Sequence, residues 1–492
     1  MKAAAPLDAV LSPPALARLG VPYVETVPPT PLPEPKLLHF NSEAATLIGL
    51  DPREAERPDF IAAMAGNRLP AGIRPLSSVY AGHQFGVFVP QLGDGRAILL
   101  GQANGRELQL KGAGKTPYSR FGDGRAVVRS TVREYLCGEA MHALGIPTTR
   151  ALCIVTSPAP VQRETTEHAA VLCRMAPSHL RFGHFEYFYY RQEFEALKPL
   201  ADFVIAEYFP ALAERTDKYR AWLTEVVERT ARLMAQWQAA GFSHGVMNTD
   251  NMSVLGLTLD YGPYGFMDGF ESHFICNHTD EGGRYAYDQQ PGIGHWNCSR
   301  LLQATLPLLS AEPDEAVEIA NGILEAYGPT FVQANLAHWR AKLGLREPRD
   351  EDPELVNRFL NVLDRGRSDF TLSFRRLADL RSAADAPAPP LADFIADRER
   401  FDPWLADYRA RLRAESSDDA ERAARMNRVN PKFVLRNWLA QEAIAKAEAG
   451  DAGGIDSLLM VLRRPYEEHP GQERLAGEPP DWARTLSVSC SS

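Results

Sequence analysis

The 492-residue sequence lacks the features that mark membrane, secreted and nucleic-acid-binding proteins. It has no apolar run of the ~20 residues that a membrane helix needs, and its start, MKAAAPLDAVLSPP, lacks the sustained apolar core of a signal peptide. Its formal charge of -10 argues against a basic surface that binds nucleic acid. We therefore expect a cytoplasmic protein without a membrane or nucleic-acid partner, and nothing in the sequence requires more than a monomer.

Cysteine is scarce, with six residues in the chain, so a disulfide framework is not needed for folding. The chain is longer than a domain with a single hydrophobic core usually is, which predicts two lobes or three domains. Cys276 with His278, and His295 with Cys298, are paired at short spacing, as zinc ligands often are. Their C-x-H and H-x-x-C spacings nevertheless depart from common structural zinc sites.

The chain is organised around residues 242–270, FSHGVMNTDNMSVLGLTLDYGPYGFMDGF. Asp250 and Asn251 are adjacent on a short polar loop, and Asp260 closes the apolar run 255–259, which predicts a strand. Oxygen ligands of this kind suit a hard divalent cation whose remaining ligands come from a nucleotide. We interpret Asn251 and Asp260 as metal ligands and Asp250 as a base; a plain polar turn is the alternative.

Upstream, residues 79–111 predict three strands, HQFGVFVPQ, RAILLGQ and ELQLK. A glycine-rich turn, LGDG, precedes the second strand, and Asn104-Gly105 predicts a two-residue hairpin turn before the third. Lys111 ends the third strand, and Glu134 lies on a helix predicted over residues 125–144. This is the order of elements in the small lobe of a protein kinase. The alternative is that Lys111 is a surface lysine and Glu134 a solvated glutamate, neither with a role in binding.

The segment between these residues contains GKT but is not a Walker A loop, because Gln109 stands where the first glycine is required. Residues 122–125 are a better phosphate candidate, since they precede a helix N-terminus; a capped turn accounts for them equally well. Two further strands are predicted over 151–156 and 169–175. Arg174 lies on the second of these strands, and Arg181 follows seven residues later. Two guanidinium groups suit phosphate oxygens, and a pair of surface arginines is the alternative.

The remaining segments predict the domain organisation. Residues 1–36 hold nine prolines and predict an extended surface arm, and a short helix capped by Asn41 follows. Beyond residue 190 the pattern is helical, most clearly over 218–240. Further helices are predicted over 300–328, 353–366, 394–413 and 430–449. We divide the chain into an arm with a short helix (1–75), a small lobe (76–185), a helical lobe with the catalytic loop (186–465) and a tail (466–492).

Six segments together resemble the selenoprotein O family of protein adenylyltransferases, also called SelO or YdiU. They are YAGHQFG at 80–86, LGDGRAILLG at 92–101, LKGAGKTPYSRFGDGRAVVRSTVREYL at 110–136, APSHLRFGHFE at 176–186, HGVMNTDNMSVLGLTLDYGP at 244–263 and the terminal VSCSS. The resemblance implies an α+β, protein-kinase-like fold with a small β-rich N-lobe and a larger, mainly α C-lobe. It also implies transfer of AMP from ATP to Ser, Thr or Tyr hydroxyls of target proteins.

The resemblance further assigns roles to residues. Asp250 is the implied proton acceptor, Glu134 pairs with Lys111, and Asn251 and Asp260 bind Mg²⁺, with Mn²⁺ as an alternative. The implied ATP contacts are Gly93, Gly95, Arg96, Lys111, Asp123, Gly124, Arg174, Arg181 and Asp260.

The sequence departs from protein kinases at one position. A loop of the form H-x-D-x-x-x-x-N, aligned on His244 and Asn251, would place the kinase aspartate at Val246. An apolar side chain cannot deprotonate a hydroxyl, so γ-phosphoryl transfer loses its usual base. The family implies an inverted nucleotide instead, with the α phosphorus exposed. A conventional kinase with its base moved to Asp250 and a catalytically silent ATP-binding scaffold are the two other functions that we consider.

The end of the chain carries an implied redox function. In animal members of the family, selenocysteine occupies the position that matches Cys490. The resemblance implies redox chemistry there, and a disulfide between Cys276 and Cys490 is our hypothesis.

Overall fold

The computed structural model describes residues 4–486 and residue 488. The strands are β1 Val24–Thr26, β2 Lys36–Phe40, β3 Leu76–Ser78, β4 Gly82–Gln84, β5 Val87–Val89, β6 Ala97–Ala103, β7 Arg106–Lys111, β8 Ala126–Val127, β9 Arg150–Gln162, β10 Thr166–Ala176, β11 Phe242–Ser243 and β12 Gly265–Phe266. The helices are α1 Leu7–Val10, α2 Ser42–Leu47, α3 Pro58–Met64, α4 Val128–Ala143, α5 Phe182–Tyr190, α6 Leu197–Tyr208, α7 Lys218–Ala240, α8 Gln290–Ala304, α9 Leu306–Leu309, α10 Pro313–Leu324, α11 Tyr327–Lys342, α12 Asp352–Gly366, α13 Phe370–Leu377, α14 Arg398–Ala414, α15 Asp419–Met426, α16 Asn437–Glu448 and α17 Gly453–Leu462. The chain is therefore a mixed α/β protein, and none of the described helices is long and apolar enough to cross a membrane.

An antiparallel sheet occupies the first third of the chain, in the order β1-β3-β6-β7-β10-β9-β2, with β8 also paired to β10. Its strands alternate between two hydrophobic cores, so that Val171 packs with α2 and α3 while the next residue, Leu172, packs with α4. Burial on both faces explains why β10 is apolar along much of its length.

The hairpin between β6 and β7 confirms the predicted turn at Asn104-Gly105. Both residues have positive φ, 47° and 71°, as the two central residues of a type I′ turn require. The register pairs Ala103 with Arg106 and Ala97 with Lys111. This pairing holds Lys111 beside the start of β6, where the glycine-rich turn ends.

The predicted strand HQFGVFVPQ is wrong as a member of this sheet. The segment folds back on itself into the separate hairpin β4–β5, because Phe85 and Gly86 adopt φ of 50° and 84°. The strand that pairs with β6 is β3, which lies earlier in the chain. Alternating apolar residues did not reveal a turn that contains only one glycine.

The proline-rich segment is not an extended surface arm. It supplies one edge strand, β1, and ends at Lys36, the first residue of the other edge strand, β2; Leu16, Tyr23 and Val24 are buried. Prolines flank these strands but are absent from them, and an edge strand tolerates such neighbours because one side of its backbone needs no partner.

The helix predicted after Asn41 and the helix predicted over 218–240 are both confirmed. The side chain of Asn41 accepts a hydrogen bond from Ala44 N at 3.1 Å and caps α2. Helix α7 has the predicted bounds and ends at Gly241, whose φ of 65° suits a C-terminal glycine. The region predicted as one helix over 300–328 is instead divided among α8 to α11.

The predicted strand over residues 255–259 is absent. Gly256 has φ of 70° and interrupts the apolar run, which makes only isolated bridges from Thr258 to Met252 and Thr148. Asp250 and Asn251 lie on a short 3-10 turn, Thr249–Asn251. Leu255 and Leu259 are buried by packing against other elements and not within a sheet, and an apolar run alone does not distinguish these two kinds of burial.

Candidate active site

A cavity of about 760 Å³ lies between the sheet and the helical part of the chain. This volume lies within the range of sites for small organic ligands and cofactors. The predicted site residues that line it are Gly93, Gly95, Arg96, Lys111, Asp123, Gly124, Arg174, Arg181, Asp250, Asn251 and Asp260. Glu134 lies behind the wall, next to Lys111, whereas Cys276 does not line the cavity.

Three cations and two carboxylates form a buried cluster in the wall of this cavity. Lys111 Nζ lies 2.5 Å from Glu134 Oε2 and 3.4 Å from Asp260 Oδ1. Arg174 Nη1 donates to Glu134 Oε1 at 2.9 Å and also contacts Asp260. Arg181 contacts the other oxygen of Asp260. The three cations and two carboxylates therefore leave the cluster with one net positive charge, which favours binding of an anion such as phosphate.

Strand pairing explains how Arg174 reaches the cluster. Arg174 lies opposite Gln109 in the pairing of β10 with β7, and its Nε donates to Gln109 Oε1 at 2.7 Å. Its guanidinium is thereby directed toward Lys111, two residues further along β7. Arg181, at the start of α5, packs over the ring of Tyr80 at 5.0 Å from its centroid.

Asp260 is ionised in this surrounding. Burial would raise its pKa, but Arg174, Arg181 and Lys111 hold the pKa of the carboxyl well below its usual range. Its φ of 54° lies in the left-handed region, which a non-glycine residue adopts when surrounding contacts require it.

Asp250 has a different environment. Its Oδ2 accepts a hydrogen bond from Gln84 Nε2 at 3.1 Å, and its buried Oδ1 has no partner in the described part of the chain. Burial raises the pKa of Asp250 to about 7. A carboxylate with a pKa near neutrality can accept a proton from a hydroxyl.

Buried polar contacts hold the loop that carries Asp250. Thr249 Oγ1 accepts from His83 N at 2.7 Å and donates to Glu186 Oε2 at 2.5 Å, and His83 Nδ1 lies 2.7 Å from the same carboxylate. His244 donates from Nε2 to Leu259 O at 2.8 Å and stacks on Trp237. These contacts fix Asp250 and the backbone before Asp260 relative to each other.

Glycine is required at two positions in the cavity wall. A Cβ on Gly93, which has φ of 131°, would lie 2.5 Å from the Tyr118 ring, and a Cβ on Gly124 would lie 2.2 Å from the Gly114 carbonyl. Asp123 is engaged in an ion pair with Arg163 at 2.8 Å. Its carboxylate is therefore occupied by a residue that sequence reasoning did not select.

A family model described as protein adenylyltransferase SelO matches residues 7–463. The chain belongs to the SelO family. It is 56% identical over 485 residues to a protein nucleotidyltransferase YdiU of Methylococcus capsulatus, covering 97% of this chain and 96% of the relative. The corresponding YdiU proteins of Myxococcus xanthus and Thiobacillus denitrificans are 56% and 53% identical, each alignment covering 97% of both chains.

Several cavity residues of this SelO-family chain were not selected from the sequence. Asp94 is buried and accepts from Ser78 N at 2.9 Å and Ser78 Oγ at 2.7 Å, and Gln84 contacts Asp250. Both lie within segments that carry the family resemblance, YAGHQFG and LGDG. Their position in those segments was the available signal, but residue type alone gave them no chemical role.

The described cysteines of this SelO-family chain lie apart from the cavity. Cys276 is buried, its Sγ lies 3.3 Å from Ser243 Oγ, and burial raises the pKa of its thiol to about 12. Cys490 lies outside the described residues. His295 packs against Tyr327 while Cys298 is buried in α8. Among the described residues, no group of three or more His, Cys, Asp and Glu side chains is arranged to hold a metal ion.

Proposed function

We propose that this chain transfers AMP from ATP to hydroxyl groups of protein side chains, within a protein-kinase-like α+β fold. The observation that carries the proposal is the cationic cluster of Lys111, Arg174 and Arg181 in the cavity that also contains Asp250. Membership of the SelO family over residues 7–463 supports the same reaction. The sheet that bears Lys111 and the helix α4 that bears Glu134 support the kinase-like arrangement.

The nucleotide is proposed to bind inverted relative to a kinase. Lys111, Arg174 and Arg181 would hold the β and γ phosphates, because these carry the greater part of the charge and the cluster has a positive excess. The α phosphorus would then face the mouth of the cavity. Val246 lines the cavity at the position of the kinase aspartate, which leaves Asp250 as the carboxylate for the acceptor hydroxyl.

The proposed reaction is a displacement at the α phosphorus. The hydroxyl oxygen forms a bond to this phosphorus while the bond from the phosphorus to the oxygen bridging to the β phosphate breaks. The hydroxyl proton passes to Asp250, whose Oδ1 has no other described partner. Pyrophosphate leaves toward the cationic cluster, which stabilises its charge.

Asn251 and Asp260 fit a role as metal ligands. Arg181 Nη1 lies 3.4 Å from Asn251 Oδ1 and also contacts Asp260, so the two oxygen ligands converge on one cation. Two such oxygens leave the remaining positions of an octahedral Mg²⁺ or Mn²⁺ site to phosphate oxygens and water. When bound, the ion would neutralise phosphate charge in the transition state.

We also propose that the functional divisions of the chain are four segments, 1–75, 76–185, 186–465 and 466–492.

We propose further that the C-terminal segment is the site of redox regulation. Support for this role comes from Val488, whose carbonyl oxygen accepts from His278 N at 3.2 Å. His278 lies two residues after Cys276, so this contact brings the tail close to Cys276. Cys490, the proposed partner, lies two residues after Val488 in the sequence.

Labelled ATP tests the proposal against the two rival functions. The full chain is incubated with Mg²⁺, a bacterial protein extract and ATP labelled at either the α or the γ phosphorus. We expect label on protein from the α position and none from the γ position. Label from the γ position would instead identify a kinase, and no label from either would identify a silent ATP-binding scaffold.

An Asp250→Asn variant tests the role of the proposed base. The change preserves shape and removes proton-accepting capacity, so transfer should fall by roughly 100-fold or more while ATP still binds. Wild-type transfer by this variant would exclude Asp250 as the base. Asp288→Asn is the matched control, because Asp288 is a partly exposed carboxylate that pairs with His273 outside this cavity.

A further inference from the structure

The hairpin β4–β5 presents an exposed apolar strip beside Asp250. Val87 is 69% exposed and Phe85 is 38% exposed, although both are large apolar residues. Val89, two residues further on, is half-buried. Exposed apolar residues that are grouped next to a reactive site commonly mark a surface that binds a partner.

The register of the hairpin shows which way this strip faces. A two-residue turn at Phe85-Gly86 joins the paired residues Gln84 and Val87, and Gly82 pairs with Val89. Directly opposite residues of an antiparallel pair project to the same face. The side chains of Gln84, Val87 and Val89 therefore share one face of the hairpin.

That face is turned toward the proposed base. Gln84 Nε2 donates to Asp250 Oδ2 at 3.1 Å. A Cβ built on Gly82 would lie only 2.4 Å from Asp250 Oδ1, so the same face meets this carboxylate at a second point. Val87 and Val89 thus extend the hairpin face that contacts Asp250 to positions outside the cavity lining.

The spacing of the two valines suits an extended peptide. Residues two apart on a strand lie about 6.8 Å from each other on one face, which is also the spacing of alternate side chains in an extended ligand. The acceptor hydroxyl must approach Asp250, because its proton is transferred there. The chain on either side of that hydroxyl must consequently cross the hairpin or leave the site.

We propose that the Val87–Val89 strip is the docking surface for an extended segment of the acceptor protein, with an apolar side chain within three residues of the modified hydroxyl. This proposal rests on the proposed AMP transfer and adds the class of acceptor. Val87 is then a specificity-determining residue, since it contacts the segment beside the hydroxyl and does not take part in proton transfer.

A peptide library tests the proposal. Synthetic peptides with a central Ser, Thr or Tyr carry Leu, Lys or Glu at each of the three positions on either side. The full chain, Mg²⁺ and ATP labelled at the α phosphorus are supplied, and kcat/KM is measured for each peptide. Val87→Asp is compared with wild type and with Val332→Asp, a matched control whose valine is 60% exposed but lies on α11, outside the β4–β5 hairpin.

We expect wild type to prefer Leu at one position near the hydroxyl. Val87→Asp should lose roughly tenfold in kcat/KM for that peptide and shift its preference to Lys at the same position, because a buried apolar contact is replaced by a charge. ATP affinity, measured by calorimetry, should not change. A mere loss of folding cannot produce a new preference for Lys.

The docking proposal would be overturned if Val87→Asp left peptide selectivity unchanged, or if extract proteins were labelled while no peptide was. It would also be overturned if Val87→Asp changed only the oligomeric state, because the strip would then bind a second copy of this chain. Absence of α label from both extract proteins and peptides would instead refute the proposed function itself. The two failures are therefore distinguishable.

Discussion

Replacing Glu134 with glutamine should destabilise the protein by about 3 kcal/mol and make its stability depend more strongly on ATP. Glu134 accepts from Lys111 Nζ at 2.5 Å and from Arg174 Nη1 at 2.9 Å, and all three side chains are buried. Breaking a buried ion pair by removing one partner typically costs about 3–5 kcal/mol. The lower end applies here because glutamine still accepts a hydrogen bond, and Asp260 remains near both cations.

ATP should offset part of this loss. With Glu134 neutral, Lys111, Arg174 and Arg181 face the single carboxylate of Asp260, and the positive excess of the cluster rises by one charge. A polyphosphate bound there restores neutralisation. Because a ligand stabilises the state that it binds, saturating ATP should raise the unfolding midpoint more in Glu134→Gln than in wild type.

Urea unfolding followed by fluorescence, with and without ATP, measures both effects. Glu207→Gln provides the matched control, since Glu207 pairs with Arg18 on the surface, where the two side chains are 32% and 63% exposed. Its expected loss is below about 1 kcal/mol. The reasoning is refuted if Glu134→Gln loses no more stability than Glu207→Gln, or if ATP stabilises the Glu134 variant less than wild type.

Two further changes test the site and the helical part separately. Gly82→Ala should reduce AMP transfer by roughly tenfold or more, because the added Cβ would lie 2.4 Å from Asp250 Oδ1 and displace the carboxylate. Transfer assays with α-labelled ATP measure the effect, and wild-type rates would show that Asp250 tolerates the shift. Lys342→Met should stabilise the protein most below about pH 7, because burial lowers the pKa of Lys342 from 10.5 to about 7 and the folded state therefore disfavours its ammonium. The destabilisation by the buried ammonium is fully present below pH 7 and decreases as the pH rises toward 10.5. The stability that methionine adds, measured by urea unfolding, should therefore decrease over this range. A gain in stability that does not change with pH would contradict the lowered pKa of Lys342.

Local patterns predicted those elements whose cause is local. The turn at Asn104-Gly105, the cap at Asn41 and the bounds of α7 follow from backbone conformation, a short side-chain hydrogen bond and helical periodicity, and all three are confirmed. The same reasoning failed for residues 255–259, where an apolar run is buried without a strand. It also failed for the proline-rich segment, which contains one edge strand of the sheet and begins the other.

The sequence by itself determined the chemical inventory: which lysine, arginines and carboxylates are available, and which segments match the SelO family. Only the tertiary structure decided that Lys111, Arg174 and Arg181 meet at Asp260, and that Gly82 and Gln84 lie against Asp250. The physical reason is that ionisation and contact depend on distance and burial. Residues that are 79 to 168 positions apart in the sequence contact each other, and become buried together, only when the sheet, the hairpin and the loop pack together.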